Sequence, residues 1–565
     1  YRHAQQMLKM ADQTQDAVRN SVGEIGGPVK LGLPSSLALV LVGPLVGALE
    51  MRFPGISLEV YESPSSYLPA HLINQQVDLS VLLRESAEVV APLLQKKGLS
   101  LDLEIADDMT VFCDPTRIRQ VILNLVSNAA RFTEEGGISI EAARQQGWAL
   151  WLRDPGPDRL LVMLYFSGGG SRAAALGYGV LQELAQTPLP GGGRMLDQVG
   201  TISAVSGGCF PAAYYCLYGD RTFTEFAPTF LYRNVQGELY GRCFGPAGLV
   251  RLCSSRFGRS DLAAEYYDEL LFHGATFGDL ARGPATRPLL VINATHISNG
   301  EPFQFLQEQF DLIGSDLNRY PISRAVAASS AFPILLTPVA LQNHARPASG
   351  RAAPKLPPER GLAMFTNVRE DTARAAAIYG DSAAHPYLHL ADGGLSDNLG
   401  MRGMYNFVAQ QGGWGNVMDE LRRAGVDKLV LIVVNAAIVT GQEWDCVPDT
   451  PTGRTVIRAM SNALINQSNR GMLNSVRTSL RVWEQQRKAL RQPGDPEDPK
   501  VYFVNVSFNG IADAAERERF HRVPTRFNLG REQADFVVAK AGELLRRSPD
   551  FLQLIQDLQS PPAAP

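Results

Sequence analysis

Three short segments of the sequence combine glycines with side chains that could break an acyl bond. Ser206 lies in the run AVSGG, Asp392 lies in the run ADGG, and a third run, SGGGSR, covers residues 167–172. Each run follows apolar residues typical of a buried strand. A serine in a tight turn exposes its hydroxyl, a carboxylate can accept the proton of that hydroxyl, and glycines let backbone N–H groups converge on an anion. The three segments therefore indicate nucleophilic attack on a carbonyl group.

The glycine run at 167–172 separates the apolar run RLLVMLYF from an alanine-rich stretch, which predicts a strand, a loop and a helix. Such a loop at a helix N-terminus binds anions, either an oxyanion or a nucleotide phosphate. The sequence has no G-K-[ST] there and no acidic residue placed as in a dinucleotide fingerprint. Each segment alone is also compatible with an ordinary structural turn, but their occurrence together and in this order favours a catalytic site.

In this order the segments resemble those of the patatin-like phospholipase family, which has a glycine-rich oxyanion loop, a serine elbow and an Asp-Gly-Gly turn. The stretch RAVAASSAFPILLTP resembles the family's helix beside the active site, and the likeness covers about 158–565. The resemblance implies that Ser206 is the nucleophile and Asp392 its base. It also implies an oxyanion hole at Gly168, Gly169 and Gly170, and supporting motif residues at Arg172, Gly207, Gly208, Gly393 and Gly394.

The activity that this resemblance implies is that of a serine lipid acyl hydrolase. It would cleave carboxylic esters of phospholipids or related acyl lipids through a Ser-Asp dyad and an acyl-enzyme intermediate, with an acyl lipid as partner and no metal or other cofactor. Two positions depart from the family pattern, because Ala204 and Ala173 stand where glycine is usual. Alanine is small, so the elbow and the loop are still assigned to these segments.

Three competing hypotheses stay open from the sequence. The first is a Ser-His-Asp hydrolase, which would need a histidine near Ser206, and the candidates by motif context are His296, His385 and His389. All three are also compatible with strand-end or packing positions. The second hypothesis is a ligand-responsive regulatory fusion, suggested by residues 1–157, and the third is a catalytically silent patatin-like scaffold.

The fold class follows from apolar runs that alternate with helical patterns. The runs lie at 159–166, 199–205, 287–295, 387–392 and 427–436. This alternation predicts an α/β domain of three layers at 158–565, with a mainly parallel central sheet covered on both faces. We also expect an exposed loop at 346–360, two outer helices within 532–558 and a disordered tail at 560–565.

Residues 1–83 resemble the opening of the effector-binding domain of LysR-type regulators. The likeness rests on VKLGLPSSLALVLVGPLVGALEMRFPGISLEVYES and QQVDLSVLL, with a linker helix predicted at 1–22 and further helices at 37–52 and 68–75. The winged helix-turn-helix of those regulators is not part of this sequence, and the effector domain breaks off after Leu83. A partial α/β fragment without DNA binding is therefore expected.

Residues 84–157 resemble part of the ATP-binding domain of histidine kinases. The run DPTRIRQVILNLVSNAARFTEEGG is similar to the N-box of that family, in which the residue matching Asn128 holds magnesium and Asn124 lies one turn earlier. The run WLRDPGPD has Asp158 where a glycine is expected, and no glycine-rich lid follows. We therefore expect a second partial fragment without kinase activity.

Composition limits the remaining possibilities. A chain of 565 residues, 45% of them apolar, is larger than one hydrophobic core usually organises, so at least two domains are expected. A formal net charge of −4 gives no reason to expect nucleic-acid binding, and any membrane contact should be peripheral and mainly apolar. Neither a transmembrane stretch nor a signal peptide is visible. The compartment, the oligomeric state and a disulfide between 209 and 253 are left open.

Overall fold

A computed structural model gives the architecture of the chain. It describes residues 155–559 apart from 285, 334, 345–365, 439–452 and 492–495, and before them the strands at 26–33, 55–62, 76–78, 100–105, 110–112 and 137–142 with further residues between 83 and 123. Several predicted features lie outside the described residues: the helices at 1–22, 37–52 and 68–75, Asn124, Asn128, the loop at 346–360 and the tail at 560–565.

The strands of the described residues are β1 (Gly26–Leu33), β2 (Gly55–Glu62), β3 (Gln76–Asp78), β4 (Ser100–Ile105), β5 (Thr110–Phe112), β6 (Gly137–Ala142), β7 (Leu160–Phe166), β8 (Val199–Val205), β9 (Leu289–His296), β10 (Glu301–Gln304), β11 (Val339–Gln342), β12 (Tyr387–Asp392), β13 (Lys428–Asn435) and β14 (Lys500–Ser507).

The α-helices are α1 (Gly170–Gln186), α2 (Cys209–Tyr218), α3 (Thr222–Phe226), α4 (Val235–Phe244), α5 (Pro246–Leu252), α6 (Arg259–Tyr267), α7 (Phe277–Arg282), α8 (Gln307–Leu312), α9 (Ile322–Ser329), α10 (Thr366–Gly380), α11 (Gly394–Asp397), α12 (Arg402–Gln410), α13 (Trp414–Arg423), α14 (Gly453–Leu490), α15 (Ala514–His521), α16 (Arg531–Arg546) and α17 (Pro549–Gln559).

The chain divides into two compact units, Tyr1–Ala142 and Ala143–Pro565. In the first unit β1 pairs in parallel with β2 and β4 with β6, while β3 and β5 are antiparallel. Leu94 and Leu99 form a small apolar cluster there. The first unit thus consists of short α/β pieces, and the division at 83 and 157 into 1–83, 84–157 and 158–565 stays a prediction.

The second unit is built on one mixed sheet with the strand order β11-β12-β9-β8-β7-β13-β14, and β10 also pairs with β9. The strands from β9 to β14 along this order run parallel to one another. This confirms the mainly parallel α/β sheet predicted from the apolar runs. Strand β12 is the exception among those runs, because it pairs antiparallel with β9.

Two hydrophobic cores cover the two faces of this sheet. Successive side chains of a strand point to opposite faces, and accordingly Leu164 and Phe166 of β7 lie in one core while Met163 and Tyr165 lie in the other. Helices α1 and α16 contribute to the first core, and α13 and α14 to the second. The arrangement has three layers, helix, sheet and helix, and it buries every residue of the central strands β7, β8 and β9.

Several local features bear on the sequence-based expectations. The two outer helices predicted within 532–558 are α16 and α17. Cys209, Cys216, Cys243 and Cys253 are free thiols, so these four form no disulfide with one another. None of the helices in the described ranges is both long enough and apolar enough to cross a membrane.

Candidate active site

Ser206 stands at a sharp turn between β8 and α2. Strand β8 ends at Val205, a short 3-10 turn spans Ser206–Gly208, and α2 begins at Cys209. Ser206 has φ of 48°, in the left-handed region that costs a non-glycine residue free energy and is often found at functional sites. The sequence therefore places this serine in a strained turn, as expected for a nucleophile elbow.

The glycines after Ser206 are required by close backbone packing. A Cβ on Gly207 would lie 2.0 Å from the carbonyl oxygen of Gly170, and one on Gly208 would lie 2.8 Å from the carbonyl oxygen of Phe166. Both distances are far below van der Waals contact, so any larger residue would push the glycine-rich loop away from the elbow. The two predicted motif glycines thus serve to bring the loop against Ser206.

The sheet register explains how Asp392 reaches Ser206. Val205 at the end of β8 pairs with Asn293 of β9, and Asp392 at the end of β12 pairs with Ala294 of the same strand. Because β8 is parallel and β12 antiparallel to β9, both strands end beside adjacent residues of the strand between them. The Ser206 hydroxyl donates a hydrogen bond of 2.8 Å to Oδ2 of Asp392 across this gap.

Asp392 is held by the glycine turn that follows it. The N–H of Gly394 donates to Oδ1 of Asp392 at 2.8 Å, which leaves Oδ2 for Ser206. A Cβ on Gly393 would lie 2.2 Å from the carbonyl oxygen of Asn293, so the turn packs directly on β9. The predicted Gly393 and Gly394 therefore fix the carboxylate against the strand that separates the two candidate catalytic residues.

Burial sets the protonation of this carboxyl group. Asp392 is only 5% exposed. Its removal from water raises the pKa of Asp392 to about 6, although the hydrogen bonds from Gly394 N–H and the Ser206 hydroxyl act in the opposite direction. The group is therefore ionised above about pH 6 and can accept a proton from the serine that already bonds to it.

The glycine loop lies beside the elbow, between β7 and α1. A Cβ on Gly168 would lie 3.3 Å from Cβ of Ser206, and the N–H of Gly168 is used by a 3.1 Å bond to the carbonyl oxygen of Asn398. Gly169 and Gly170 both have positive φ. Their N–H groups have no acceptor among the described residues, so both can donate to a developing oxyanion.

Arg172 supports the loop instead of facing a substrate. Its side chain is 2% exposed, and its Nε donates to the carbonyl oxygen of Ala436 at 3.0 Å while Nη1 donates to that of Val523 at 2.6 Å. The guanidinium thus ties the first turn of α1 to the segments after β13 and before α16.

The three candidate histidines lie near one another, and among the described residues none is hydrogen-bonded to Ser206 or Asp392. His296 ends β9, and its ring centroid is 5.6 Å from that of Tyr379. Burial lowers the pKa of His296, and the neighbouring His385 and His389 lower it further. In the described part of the chain the carboxylate of Asp392 accepts hydrogen bonds from Ser206 and Gly394, and the Thr295 hydroxyl donates to its backbone carbonyl at 2.8 Å.

Sequence reasoning did not identify Ser329, the last residue of α9. Its hydroxyl oxygen accepts a 2.8 Å hydrogen bond from the backbone N–H of Ser206. The residue belongs to the stretch RAVAASSAFPILLTP, which was matched as a helix near the site without a role for any single side chain. The paired serines at the end of a small-residue helix were the available signal.

Comparison with known proteins gives partial matches for the leading residues. The nitrogen assimilation regulatory protein nac of Escherichia coli K12 is 34% identical over 104 residues, which cover 18% of this chain and 34% of that protein. The aerobic respiration control sensor protein ArcB of the same strain is 32% identical over 123 residues, covering 19% of this chain and 16% of that protein. The chain thus spans about a third and a sixth of these relatives, and the matches support the two resemblances noted before residue 158.

Two further comparisons concern a solved structure and a protein-family model. Among solved structures, human GIVD cytosolic phospholipase A2 is similar with a TM-score of 0.36 and 14% sequence identity, over 71% of this chain and 62% of that one. Residues 164–405 match the family model of the patatin-like phospholipases, a span that contains the glycine loop, the elbow, Ser329 and Asp392. The chain therefore carries a patatin-like phospholipase domain, the domain of a family of lipid acyl hydrolases.

Proposed function

We propose that the protein is a serine esterase that removes acyl chains from phospholipids or related acyl lipids, with Ser206 as nucleophile and Asp392 as the base. The observation that carries this proposal is the 2.8 Å hydrogen bond from a serine with φ of 48° to a buried carboxylate. Nucleophile and base within hydrogen-bond reach are the signature of an activated serine. The family match over 164–405 supports a lipid as the substrate.

The first half of the proposed reaction forms an acyl-enzyme. Ser206 Oγ attacks the ester carbonyl carbon while its proton passes to Oδ2 of Asp392, and the N–H groups of Gly169 and Gly170 stabilise the oxyanion. Collapse of the tetrahedral intermediate breaks the bond to the alcohol oxygen. The departing alcohol takes the proton from Asp392, so the carboxylate is restored.

The second half releases the fatty acid. A water molecule attacks the acyl-enzyme and gives its proton to Asp392, and the same N–H groups stabilise the second oxyanion. Collapse breaks the bond to Ser206 Oγ, which recovers the proton from Asp392. The carboxylate acts as base in both halves, so the proposed mechanism needs no histidine, calcium or organic cofactor.

The face that meets lipid is proposed to be the helical hairpin of α4 and α5. Phe244 of α4 is 74% exposed and Val250 of α5 is 75% exposed, an apolar surface that would bury area on contact with acyl chains. The N–H of Gln236 at the start of α4 donates to the carbonyl oxygen of Phe527, and that of Ser171 donates to the neighbouring carbonyl of Arg526. The hairpin therefore begins close to the oxyanion loop.

The proposed activity is tested by incubating the full chain with mixed phospholipid vesicles and measuring released fatty acids and lysolipids by mass spectrometry, with and without a calcium chelator. We expect release that is unaffected by the chelator and absent in Ser206→Ala. A fluorophosphonate probe should label the wild-type chain and not this variant. Absence of both release and labelling in a folded wild-type protein would favour a catalytically silent scaffold.

The proposed lipid surface is tested with the double variant Phe244→Ser and Val250→Ser. We expect weaker co-sedimentation with phosphatidylcholine vesicles and unchanged turnover of a soluble nitrophenyl ester, since neither side chain contacts the dyad. Leu552→Ser, which changes a half-exposed leucine on α17, serves as the matched control. Equal vesicle binding by the double variant and the control would place lipid contact elsewhere.

A further inference from the structure

The segment that leaves α9 is hydrogen-bonded to both members of the proposed dyad. The N–H of Ser206 donates to Oγ of Ser329 at 2.8 Å, and the N–H of Asp392 donates to the carbonyl oxygen of Ala331 at 3.0 Å. The N–H of Gly393 donates to the carbonyl oxygen of Ser329 at 3.1 Å. One three-residue segment thus bonds to the elbow on one side and to the aspartate turn on the other.

The Ser329 hydroxyl is fully committed within this network. Its single hydrogen is donated to the carbonyl oxygen of Asn293 at 2.5 Å, so its oxygen is left to accept from Ser206 N–H. The thiol of Cys209 also lies 3.3 Å from this oxygen. Ser329 is completely buried, and no water is needed to satisfy it.

The hydrogen bond from Ser329 to Asn293 links the position of Ser206 to that of Asp392. It is the residue of β9 that pairs with Val205, and its neighbour Ala294 pairs with Asp392. By joining the Ser206 amide to the Asn293 carbonyl, the Ser329 hydroxyl ties the elbow to the strand on which Asp392 is registered. The separation between nucleophile and base therefore depends on a hydroxyl that belongs to neither.

The hydrogen bond between Ser206 N–H and Ser329 Oγ helps to hold the strained backbone of Ser206. Ser206 is held in the left-handed region at φ 48°, a conformation that is unfavourable for a non-glycine residue and persists only where neighbouring groups enforce it. Without the Ser329 oxygen the buried amide of Ser206 would have no acceptor, and the turn could relax to satisfy it. Relaxation would swing Ser206 Oγ away from Asp392.

We propose that Ser329 is a positioning residue whose hydroxyl holds the Ser206 turn so that the serine hydroxyl points at Asp392. The inference rests on the hydrolase activity proposed above. It assigns Ser329 no contact with the substrate, so its removal should slow the chemical step without weakening substrate binding.

Ser330 provides a matched control at the next position. It is as buried as Ser329, with 1% exposure, and its hydroxyl donates to the carbonyl oxygen of Val326 at 2.7 Å inside its own helix. No described contact joins it to Ser206 or Asp392. Ser329→Ala removes a buried hydroxyl that donates to Asn293 and accepts from Ser206, whereas Ser330→Ala removes a buried hydroxyl that donates to Val326. Only the first variant should disturb the proposed dyad.

The experiment compares full-length wild type, Ser329→Ala and Ser330→Ala on a soluble nitrophenyl ester, with melting temperatures and fluorophosphonate labelling rates measured in parallel. We expect Ser329→Ala to lower kcat and the labelling rate by about ten- to a hundredfold with KM unchanged, the effect typical of a misplaced reacting group. The kcat of Ser330→Ala should stay within about threefold of wild type, even if its melting temperature falls as much as that of Ser329→Ala. Ser329→Cys, assayed with a reductant and retaining a weak sulfur acceptor, should give an intermediate kcat and replaces the alanine variant if that does not fold.

The outcomes separate the two proposals. If wild type is active and labelled at Ser206 while Ser329→Ala matches Ser330→Ala in kcat, the positioning role is wrong and the hydrolase proposal stands. An increase of KM with unchanged kcat would also overturn it, since that pattern indicates lost binding. A folded wild-type chain that is neither active nor labelled overturns the hydrolase proposal and this inference with it.

Discussion

At the scale of single residues, the proposed base is a carboxylate enclosed by protein. Burial raises the pKa of Asp392 to about 6, and below that pH the group is protonated and unable to accept the proton of Ser206. We therefore expect kcat/KM on a soluble ester to rise about tenfold per pH unit on the acidic side and to level off above about pH 7. A rate profile that is flat from about pH 5 to pH 8 would show that Asp392 is not the group that limits the reaction.

Replacing the base tests the dyad against a histidine mechanism. Asp392→Asn keeps the shape of the side chain but removes its ability to accept a proton, so we expect kcat to fall by about a hundredfold or more. His296→Ala, His385→Ala and His389→Ala should cost much less, because among the described residues no hydrogen bond joins any of these rings to Ser206 or Asp392. A folded histidine variant as inactive as Asp392→Asn would replace the dyad with a triad.

Asp392→Asn should also change the stability of the folded protein, and the direction of the change follows from the pKa of Asp392. The folded-state pKa of Asp392 is raised from 3.8 to about 6, so its burial favours the protonated form, and stability falls as pH rises through about 6. Above that pH, Asp392→Asn removes a buried charge and should increase the free energy of unfolding by up to about 3 kcal/mol. Denaturant unfolding of the wild type and the variant near pH 7.5 distinguishes this from a misfolded, inactive variant.

The sequence was informative about the site where glycine spacing reports backbone geometry. Ser206, Asp392 and the glycines around them could be located because only glycine tolerates the 2.0 and 2.2 Å approaches at Gly207 and Gly393. Ser329 could not, since a serine at the end of a buried helix usually bonds within its own helix, as Ser330 does. Its partner Ser206 lies 123 residues earlier in the chain, and no local pattern reports such a bond.

At the scale of elements, close contact between the glycine loop and the elbow is the feature most sensitive to substitution. The Gly207→Ala methyl would lie 2.0 Å from the carbonyl oxygen of Gly170, and both are backbone positions that cannot yield separately. We expect a loss of at least about a hundredfold in kcat and about 1–3 kcal/mol of stability, because the proposed oxyanion donors move with Gly170.

Gly241→Ala is the control for that variant. Gly241 lies within α4, and a methyl there would meet nothing within 4 Å, so the change should leave turnover of a soluble ester unaltered. Helix propensity favours alanine by about 1 kcal/mol, and the melting temperature should rise. Retained activity in Gly207→Ala would mean that the loop does not supply the oxyanion donors from its present position.

The strands were predictable to different degrees. Continuous apolar runs indicated the bounds of β7, β8 and β13 closely, because central parallel strands are buried on both faces. The direction of β12 was not predictable, since its run looks the same whichever way it pairs. The antiparallel pairing of β12 with β9 brings Asp392 beside Ala294. The position of Asp392 therefore depends on a strand direction that is set by tertiary packing and cannot be read from the apolar run.

At the scale of the whole chain, the site draws on residues well beyond the family match at 164–405. The Arg172 side chain donates hydrogen bonds to the carbonyl oxygens of Ala436 and Val523. The backbone N–H of Ser171 donates to the carbonyl oxygen of Arg526. Strands β13 and β14 complete the same sheet. The segment after residue 405 therefore contributes to the structural support of the glycine loop.

The residues before 155 supply none of the predicted catalytic groups. Leu160 begins β7, the first strand of the central sheet, and its N–H is bonded to the carbonyl oxygen of Pro155. The boundary at Asp158 stays a prediction, and the compact second unit begins at Ala143. A chain beginning at Pro155 should remain soluble, melt cooperatively and hydrolyse a soluble ester within about threefold of the full-length rate, because a domain with its own core folds alone. Turnover per molecule of labelled Ser206 is the appropriate measure, since it corrects for any inactive fraction. If this shortened chain folds normally yet is neither labelled nor active, residues 1–154 are a required regulatory or assembly element, and the division of the chain at 157 is wrong.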